Sequence, residues 1–257
     1  MPRPEIVACL GSSTTAAKGT YKWIDELARR PQNGRFRFIN FGIGGDLSFD
    51  LTRRLDPVLR AAPDRVIVLI GTNDILASVF PNFQRFTRAW KRTPQDPSTA
   101  RFKDNLELIT HRLQQATRAT IALSSVAPIG EALASNDAVQ SRLNDLVVAY
   151  NDVIADVSRR SGAYYIPFFE CFRTELARSG IVKPFTQFSF AGFYRDYLFR
   201  EMILGRSFDQ IAQSNGWEFH IDGIHLNTRG GRILTEVVQQ FLDSPSRSST
   251  GGLGSRL

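Results

Sequence analysis

Ile6-Val7-Ala8-Cys9-Leu10, followed at once by Gly11-Ser12-Ser13-Thr14-Thr15, decides the fold. An apolar run without polar alternation reads as a strand covered on both faces, the habit of strands in parallel sheets. Gly11 allows a tight turn, and the hydroxyl residues suit a helix entrance leading into Ala16 and Ala17. A serine at the carboxyl end of the first strand of an α/β sheet sits where such sheets receive their ligands. Taken alone, Ser12 to Thr15 read more simply as a helix cap. The rest of the chain decides between the two.

Working outward, the same unit of strand and polar turn recurs. Residues 36–41 read as a second strand ending in Gly42-Ile43-Gly44-Gly45-Asp46, and residues 65–71 as a third ending in Thr72-Asn73-Asp74. Residues 120–126 and 164–168 read as a fourth and a fifth. Helical stripes lie between them: Trp23, Ile24 and Leu27 before Pro31; Leu47, Leu51, Leu55 and Val58 as one helix; and Phe102, Leu106, Ile109 and Leu113. A long helix from about Asn136 ends at Gly162, and a last one covers 228–242. Alternating strands and helices predict an α/β fold with a parallel sheet and right-handed crossovers. One domain over 1–243 is expected, with a less regular insertion near 75–101, a broken helical one near 181–216, and a disordered tail over 244–257.

Composition narrows the function classes. At 257 residues the chain can bury one substantial core. It opens without a signal-peptide pattern, and its longest apolar runs are strand-sized, so a cytoplasmic protein is expected. Two cysteines, Cys9 and Cys171, make no disulfide framework, and no Cys/His spacing suits zinc. The net charge of +7 could serve nucleic acid, but the basic residues are scattered among acidic ones without a block or motif. A solvated surface is the reading, with no nucleic-acid partner.

Ser13, Gly45 and Asn73 follow three strands whose ends share one sheet edge. A serine nucleophile needs a base, an orienter for that base, and donors for an oxyanion. The Ser13 amide, the Gly45 amide and the Asn73 side chain can be those donors. Of three histidines, His111 falls on an amphipathic helix and His220 lacks an evident partner. His225 has Asp222 three residues earlier, a spacing that lets a carboxylate hold one ring nitrogen while the other faces the serine. Alone, Asp-x-x-His reads equally as a turn or as half a metal site.

Together the blocks resemble the SGNH hydrolases, also called the GDSL esterase/lipase superfamily. Gly11-Ser12-Ser13-Thr14-Thr15 is similar to the first block, with the nucleophile on Ser13. Asn40-Phe41-Gly42-Ile43-Gly44-Gly45-Asp46 resembles the second block, most closely that of the platelet-activating-factor acetylhydrolase catalytic subunits. Gly71-Thr72-Asn73-Asp74 and the Asp222/His225 pair resemble the third and last. The resemblance implies a flavodoxin-like three-layer α/β/α sandwich around a five-stranded parallel sheet in the order 2-1-3-4-5. It implies a catalytic triad of Ser13, His225 and Asp222, an oxyanion hole of Ser13, Gly45 and Asn73, and cleavage of carboxylic esters without metal or cofactor. Ser12 departs from the family's usual aspartate, at a position that carries no catalytic role.

The alternatives are an acyltransferase on the same site and a catalytically silent binding protein on this scaffold. A conventional α/β-hydrolase is disfavoured, because no Gly-x-Ser-x-Gly elbow ends a strand. The Gly42-x-Gly44-Gly45 fragment lacks the full dinucleotide pattern. The insertions are rich in aromatics: Phe80, Phe83, Phe86 and Trp90 at helical spacing, and a dense run from Phe185 through Tyr194 to Phe199. These read either as core packing or as an acyl-pocket wall, with Phe86, Trp90 and Tyr194 touching a small-molecule or lipid-like ester. In the second reading Arg85, Arg88, Lys91 and Arg92 meet an anionic head group, which leaves room for peripheral membrane contact. The oligomeric state is left open.

Overall fold

The computed structural model describes residues 3–92, 96–195 and 201–245. Its centre is a parallel sheet of five strands: β1 (Glu5–Gly11), β2 (Phe36–Gly42), β3 (Arg65–Leu69), β4 (Thr120–Ser124) and β5 (Tyr164–Ile166). They lie in the order β2-β1-β3-β4-β5. Every residue of β3 is buried, as is β1 from Val7 onward, which is why neither alternates in polarity. β2 lies at an edge and is only half covered.

The chain winds outward from β1 to β2, then returns past β1 to β3, so a crevice opens at the carboxyl ends of these strands. Register puts those ends level: Gly11 pairs with Gly42 on one side and with Leu69 on the other. Gly11 has no room for a side chain, because a Cβ there would lie 2.2 Å from Thr15 Oγ1 and 2.4 Å from the Leu69 carbonyl. The chain after β1 can therefore fold directly back over the strand ends.

The helices run α1 (Ser13–Ala16), α2 (Trp23–Arg29), α3 (Ser48–Arg53), α4 (Asp56–Arg60), α5 (Thr72–Val79) and α6 (Pro81–Trp90). They continue with α7 (Thr99–Ala116), α8 (Ala138–Ser161), α9 (Phe168–Ser179), α10 (Phe190–Tyr194), α11 (Phe208–Asn215) and α12 (Thr228–Asp243). α2, α9 and α12 pack together on one side of the sheet; α3, α5, α7 and α8 form the other layer. This is the three-layer α/β/α sandwich expected from the sequence. One hydrophobic cluster runs from Val7 to Leu242.

Three features differ from the sequence reading. The Leu47–Val58 stripe is two helices, because Pro57 lacks the N–H that a continuous helix would need there and instead sits in the first turn of α4. Residues 75–101 are largely helical: Pro81 starts α6, where its missing N–H costs nothing. The ladders of β3, β4 and β5 end two residues early, since residues 70–71, 125–126 and 167–168 leave the sheet to turn toward the next element. Asp137 caps α8, its side chain accepting from the Val139 and Gln140 amides. Residues 246–257 of the expected tail lie outside the described residues. Among the described residues no helix is long and apolar enough to cross a membrane.

Candidate active site

Ser13 is the first residue of α1, a single turn that Ala17 closes in the left-handed conformation (φ 56°). The Ser13 hydroxyl lies 3.0 Å from His225 Nε2. On the other side of the ring, Nδ1 lies 2.8 Å from Asp222 Oδ2. That pairing puts the hydrogen of a neutral ring on Nδ1 and leaves the Nε2 lone pair facing the serine. Asp222 Oδ1 accepts the backbone amides of Ile224 (3.0 Å) and His225 (2.8 Å), so its carboxylate folds the loop that carries its partner. Burial pushes the Asp222 carboxyl up, but the His225 imidazole and the hydrogen bonds from His225 and Ile224 together outweigh it. They hold the group below the ordinary aspartate value.

The same loop is anchored from behind by a residue that sequence reading missed. Glu131, fully buried, accepts the amides of Glu218 (2.8 Å), Phe219 (2.7 Å) and His220 (2.9 Å). It also meets His220 Nδ1 at 3.0 Å. His220 therefore has a partner, 89 residues away in sequence, and belongs to the scaffold of the loop. Its Nε2 is buried without a hydrogen bond among the described residues. His111 is exposed on α7, away from this cluster.

Gly45, after β2, adopts φ 78°, which side chains rarely tolerate. Next to it, the buried Asp46 carboxylate holds Arg54 and Lys91, each at 2.6 Å. Arg54 also donates to the carbonyls of Phe41 (2.6 Å) and Gly11 (2.9 Å), tying the ends of β1 and β2 together. The Asp46 carbonyl accepts Asn73 Nδ2 at 2.9 Å, so the Asn73 amide at the start of α5 is fixed against the Gly45 turn. Behind Asn73, burial pushes the Asp74 carboxyl up to about 7, against the lowering effect of the hydrogen bonds from Ser48. Those bonds are 2.6 Å from the Ser48 hydroxyl and 3.0 Å from its amide.

Ser13, Gly45, Asn73 and His225 form one side of a cavity of about 260 Å³. Leu76, Phe83, Phe86, Phe188, Phe190 and Ile224 line most of the rest, with Ala16, Lys18 and Gly44. The rings come from both insertions and pack edge to face at Phe83–Phe188 (4.8 Å) and Phe188–Phe190 (4.7 Å), tilted at Phe86–Phe190 (4.9 Å) and stacked at Phe83–Phe190 (5.9 Å). Phe86 thus lines the cavity. Trp90 does not: it is 78% exposed and stacks on Phe86 from outside. One helical turn beyond Phe86, the stripe has run past the end of the cavity. The side chain of Tyr194, the third expected substrate-binding residue, lies outside the described residues. Of the interleaved cations, Lys91 is held by Asp46 and Arg88 by Asp96. Among the described residues no group of three or more His, Cys, Asp or Glu side chains is arranged to hold a metal.

With this geometry in hand, the comparisons are informative. A family model described as GDSL-like Lipase/Acylhydrolase matches residues 9–233, a span that includes Ser13, Gly45, Asn73, Asp222 and His225. No curated protein matches the sequence. Among solved structures, a catalytic mutant of an acetylxylan esterase from Geobacillus stearothermophilus is similar with a TM-score of 0.61 and 15% identity, over 95% of this chain and 97% of that one. An alpha/beta hydrolase enzyme from the metagenome of Lake Arreo, Spain, is similar with a TM-score of 0.60 and 17% identity, over 93% and 95%. An acetyl xylan esterase is similar with a TM-score of 0.59 and 18% identity, over 92% and 99%. At such identities these likenesses speak for the fold.

Proposed function

The chain belongs to the GDSL-like lipase/acylhydrolase family, and from that premise we propose a serine esterase that uses Ser13 and accepts an apolar acyl group larger than acetyl. The observation that carries this reading is the Ser13–His225–Asp222 relay, at 3.0 and 2.8 Å, beside a largely apolar cavity. Ser13 Oγ attacks the ester carbonyl carbon as its proton passes to His225 Nε2. The Asp222 carboxylate stabilises the imidazolium that forms. Negative charge on the former carbonyl oxygen is met by the Ser13 amide, the Gly45 amide and one Asn73 amide hydrogen. Asn73 has a second hydrogen for this task because its bond to the Asp46 carbonyl uses only one. The intermediate collapses, the alkoxide leaves with the proton from His225, and an acyl-enzyme remains. Water, deprotonated by His225, then attacks the acyl carbon and releases the acid and free Ser13.

The size of the acyl group follows from volume. An apolar cavity of roughly 150 Å³ takes a benzene ring, and this one is about 260 Å³. Two of the solved relatives are named for acetyl esters; the phenylalanine-lined space here favours a longer chain or an aryl group. Ser13→Ala should reduce hydrolysis of p-nitrophenyl butyrate to near background and abolish labelling by a fluorophosphonate, with the fold intact by circular dichroism. Ser12→Ala should keep most activity. Labelling that survives in Ser13→Ala would remove Ser13 as nucleophile.

A further inference from the structure

We propose that the ester cleaved here carries a negative charge and that Lys18 is the residue that reads it; the inference rests on the Ser13 esterase reading above. Lys18 lines the same cavity as Ser13. It stands on the turn that closes α1, between Ala17 (φ 56°) and Gly19 (φ 71°), two left-handed residues that hold the chain in a tight reversal. Its side chain is exposed, with no hydrogen bond or ion pair among the described residues.

Its neighbours differ in that respect. Lys91 and Arg54 share the buried Asp46 carboxylate, and Asp222 is engaged with His225. Among the described residues, Lys18 alone of the Lys, Arg, Asp and Glu side chains lines the cavity, and no acidic side chain neutralises it. Away from Ser13, Asn73 and His225 the remaining wall is phenylalanine, leucine, isoleucine, alanine and glycine. A neutral aliphatic ester would satisfy that wall and leave an ammonium group beside it with no counter-charge. A substrate with an apolar body and an anionic end answers both features, and an anion in a cleft walled by low-dielectric side chains is attracted more strongly than one on open surface. The anion can sit on either half of the ester: a second carboxylate on the acid, or a carboxylate or phosphate on the alcohol.

Two matched substrate pairs separate these sources. On the acid side, the p-nitrophenyl hemiester of glutarate is compared with p-nitrophenyl butyrate. On the alcohol side, the butyrate ester of p-hydroxybenzoate is compared with that of p-hydroxybenzamide. The quantity read is the ratio of kcat/KM for the anionic ester to that for its neutral partner, in wild type, Lys18→Arg, Lys18→Ala and Lys18→Glu. In one pair at least, wild type should favour the anionic ester about three- to fivefold more than Lys18→Ala does, the range of an accessible ion pair. Lys18→Arg should retain the ratio and Lys18→Glu should push it below that of Lys18→Ala. The difference should vanish near 1 M salt, where the Debye length is about 3 Å. The pair that responds locates the anion. If the ratios of all four proteins coincide in both pairs while neutral esters are turned over in a Ser13-dependent way, the charge inference is wrong and the esterase reading stands. If no ester shows Ser13-dependent turnover, the esterase reading itself fails.

Discussion

The cavity has two walls built on different principles. On the strand-end side each reactive group is fixed by short directional bonds: Asn73 by the Asp46 carbonyl, Asp46 by Arg54 and Lys91, His225 by Asp222, and the loop below it by Glu131. On the opposite side Phe83 and Phe86 of α6 meet Phe188 and Phe190 mainly ring to ring. Among the described residues the polar tie between those segments is Asn82 Nδ2 donating to the Phe188 carbonyl at 2.8 Å, across 106 residues of sequence. Directional bonds define positions to fractions of an ångström, which stabilising a developing charge requires. Ring packing defines a volume, which selecting an acyl group requires. Chemistry and selectivity should therefore respond differently to substitution.

The largest difference is expected at Asn73. Asn73→Ala removes a donor whose bond strengthens as charge develops, so kcat should fall ~10²–10³-fold with KM little changed. Steady-state kinetics on one short-chain ester decides it. A loss confined to KM would mean that Asn73 only binds, and the contrast between the walls would collapse.

Asp74 sharpens the same wall through pH. In the folded protein burial pushes its carboxyl up to about 7, against the Ser48 hydroxyl and amide that donate to it; unfolded, it takes the ordinary value of 3.8. Between those values the folded state keeps a proton that the unfolded state has released. Stability therefore falls as pH rises through this window, and above it the whole penalty is present. At ~1.4 kcal/mol per unit the penalty is at most about 4 kcal/mol. Asp74→Asn keeps the shape without the charge, so urea midpoints should shift in favour of the variant between pH 5 and pH 8. Parallel profiles would show that Asp74 does not hold that proton.

Across the cavity the expected effects are smaller and depend on substrate. Each methylene buried contributes about 0.8 kcal/mol, so kcat/KM should rise by about tenfold per two carbons from p-nitrophenyl acetate upward until the space is filled. Phe86→Ala should flatten that slope while acetate hydrolysis changes little. An acetate preference that Phe86→Ala leaves untouched would make the rings core packing and nothing more.

The two walls were also unequally legible in the sequence. Ser13, Gly45 and Asn73 stood out because strands buried on both faces are unbroken apolar runs, and the residues after each run land on the same edge. Asp222 and His225 are near enough in sequence for their spacing to suggest the pairing. Glu131 gave no such signal: its partners lie about ninety residues on, and only the folded chain brings its carboxylate under Phe219 and His220. Arg54 was hidden for the same reason, since the carbonyls it bridges end two separate strands. On the aromatic side the insertion near 75–101 read as less regular, although Pro81 opens α6 there. Burial likewise blurred the strand ends, because Ile70 and Val126 are as buried as the ladder they have left. Helical spacing showed that Phe83, Phe86 and Trp90 share a stripe, but not how far the cavity extends along it.

Trp90 gives the smallest expected effect and the finest test of the boundary. Its ring lies 6.4 Å from that of Phe86, nearly parallel at 14°, with Phe86 between it and the cavity. Because most of the indole is already in water, Trp90→Ala removes one stacked face rather than core volume. Exposed substitutions of this kind usually shift stability by within about 0.5 kcal/mol. The slope of kcat/KM against acyl length in Trp90→Ala should superimpose on that of wild type, while the slope of Phe86→Ala does not. If Trp90→Ala flattens the slope as much as Phe86→Ala, the indole must swing inward when substrate binds. The aromatic wall would then be assembled by the substrate, and the contrast with the pre-formed strand-end wall would become one of timing as well as of bonding.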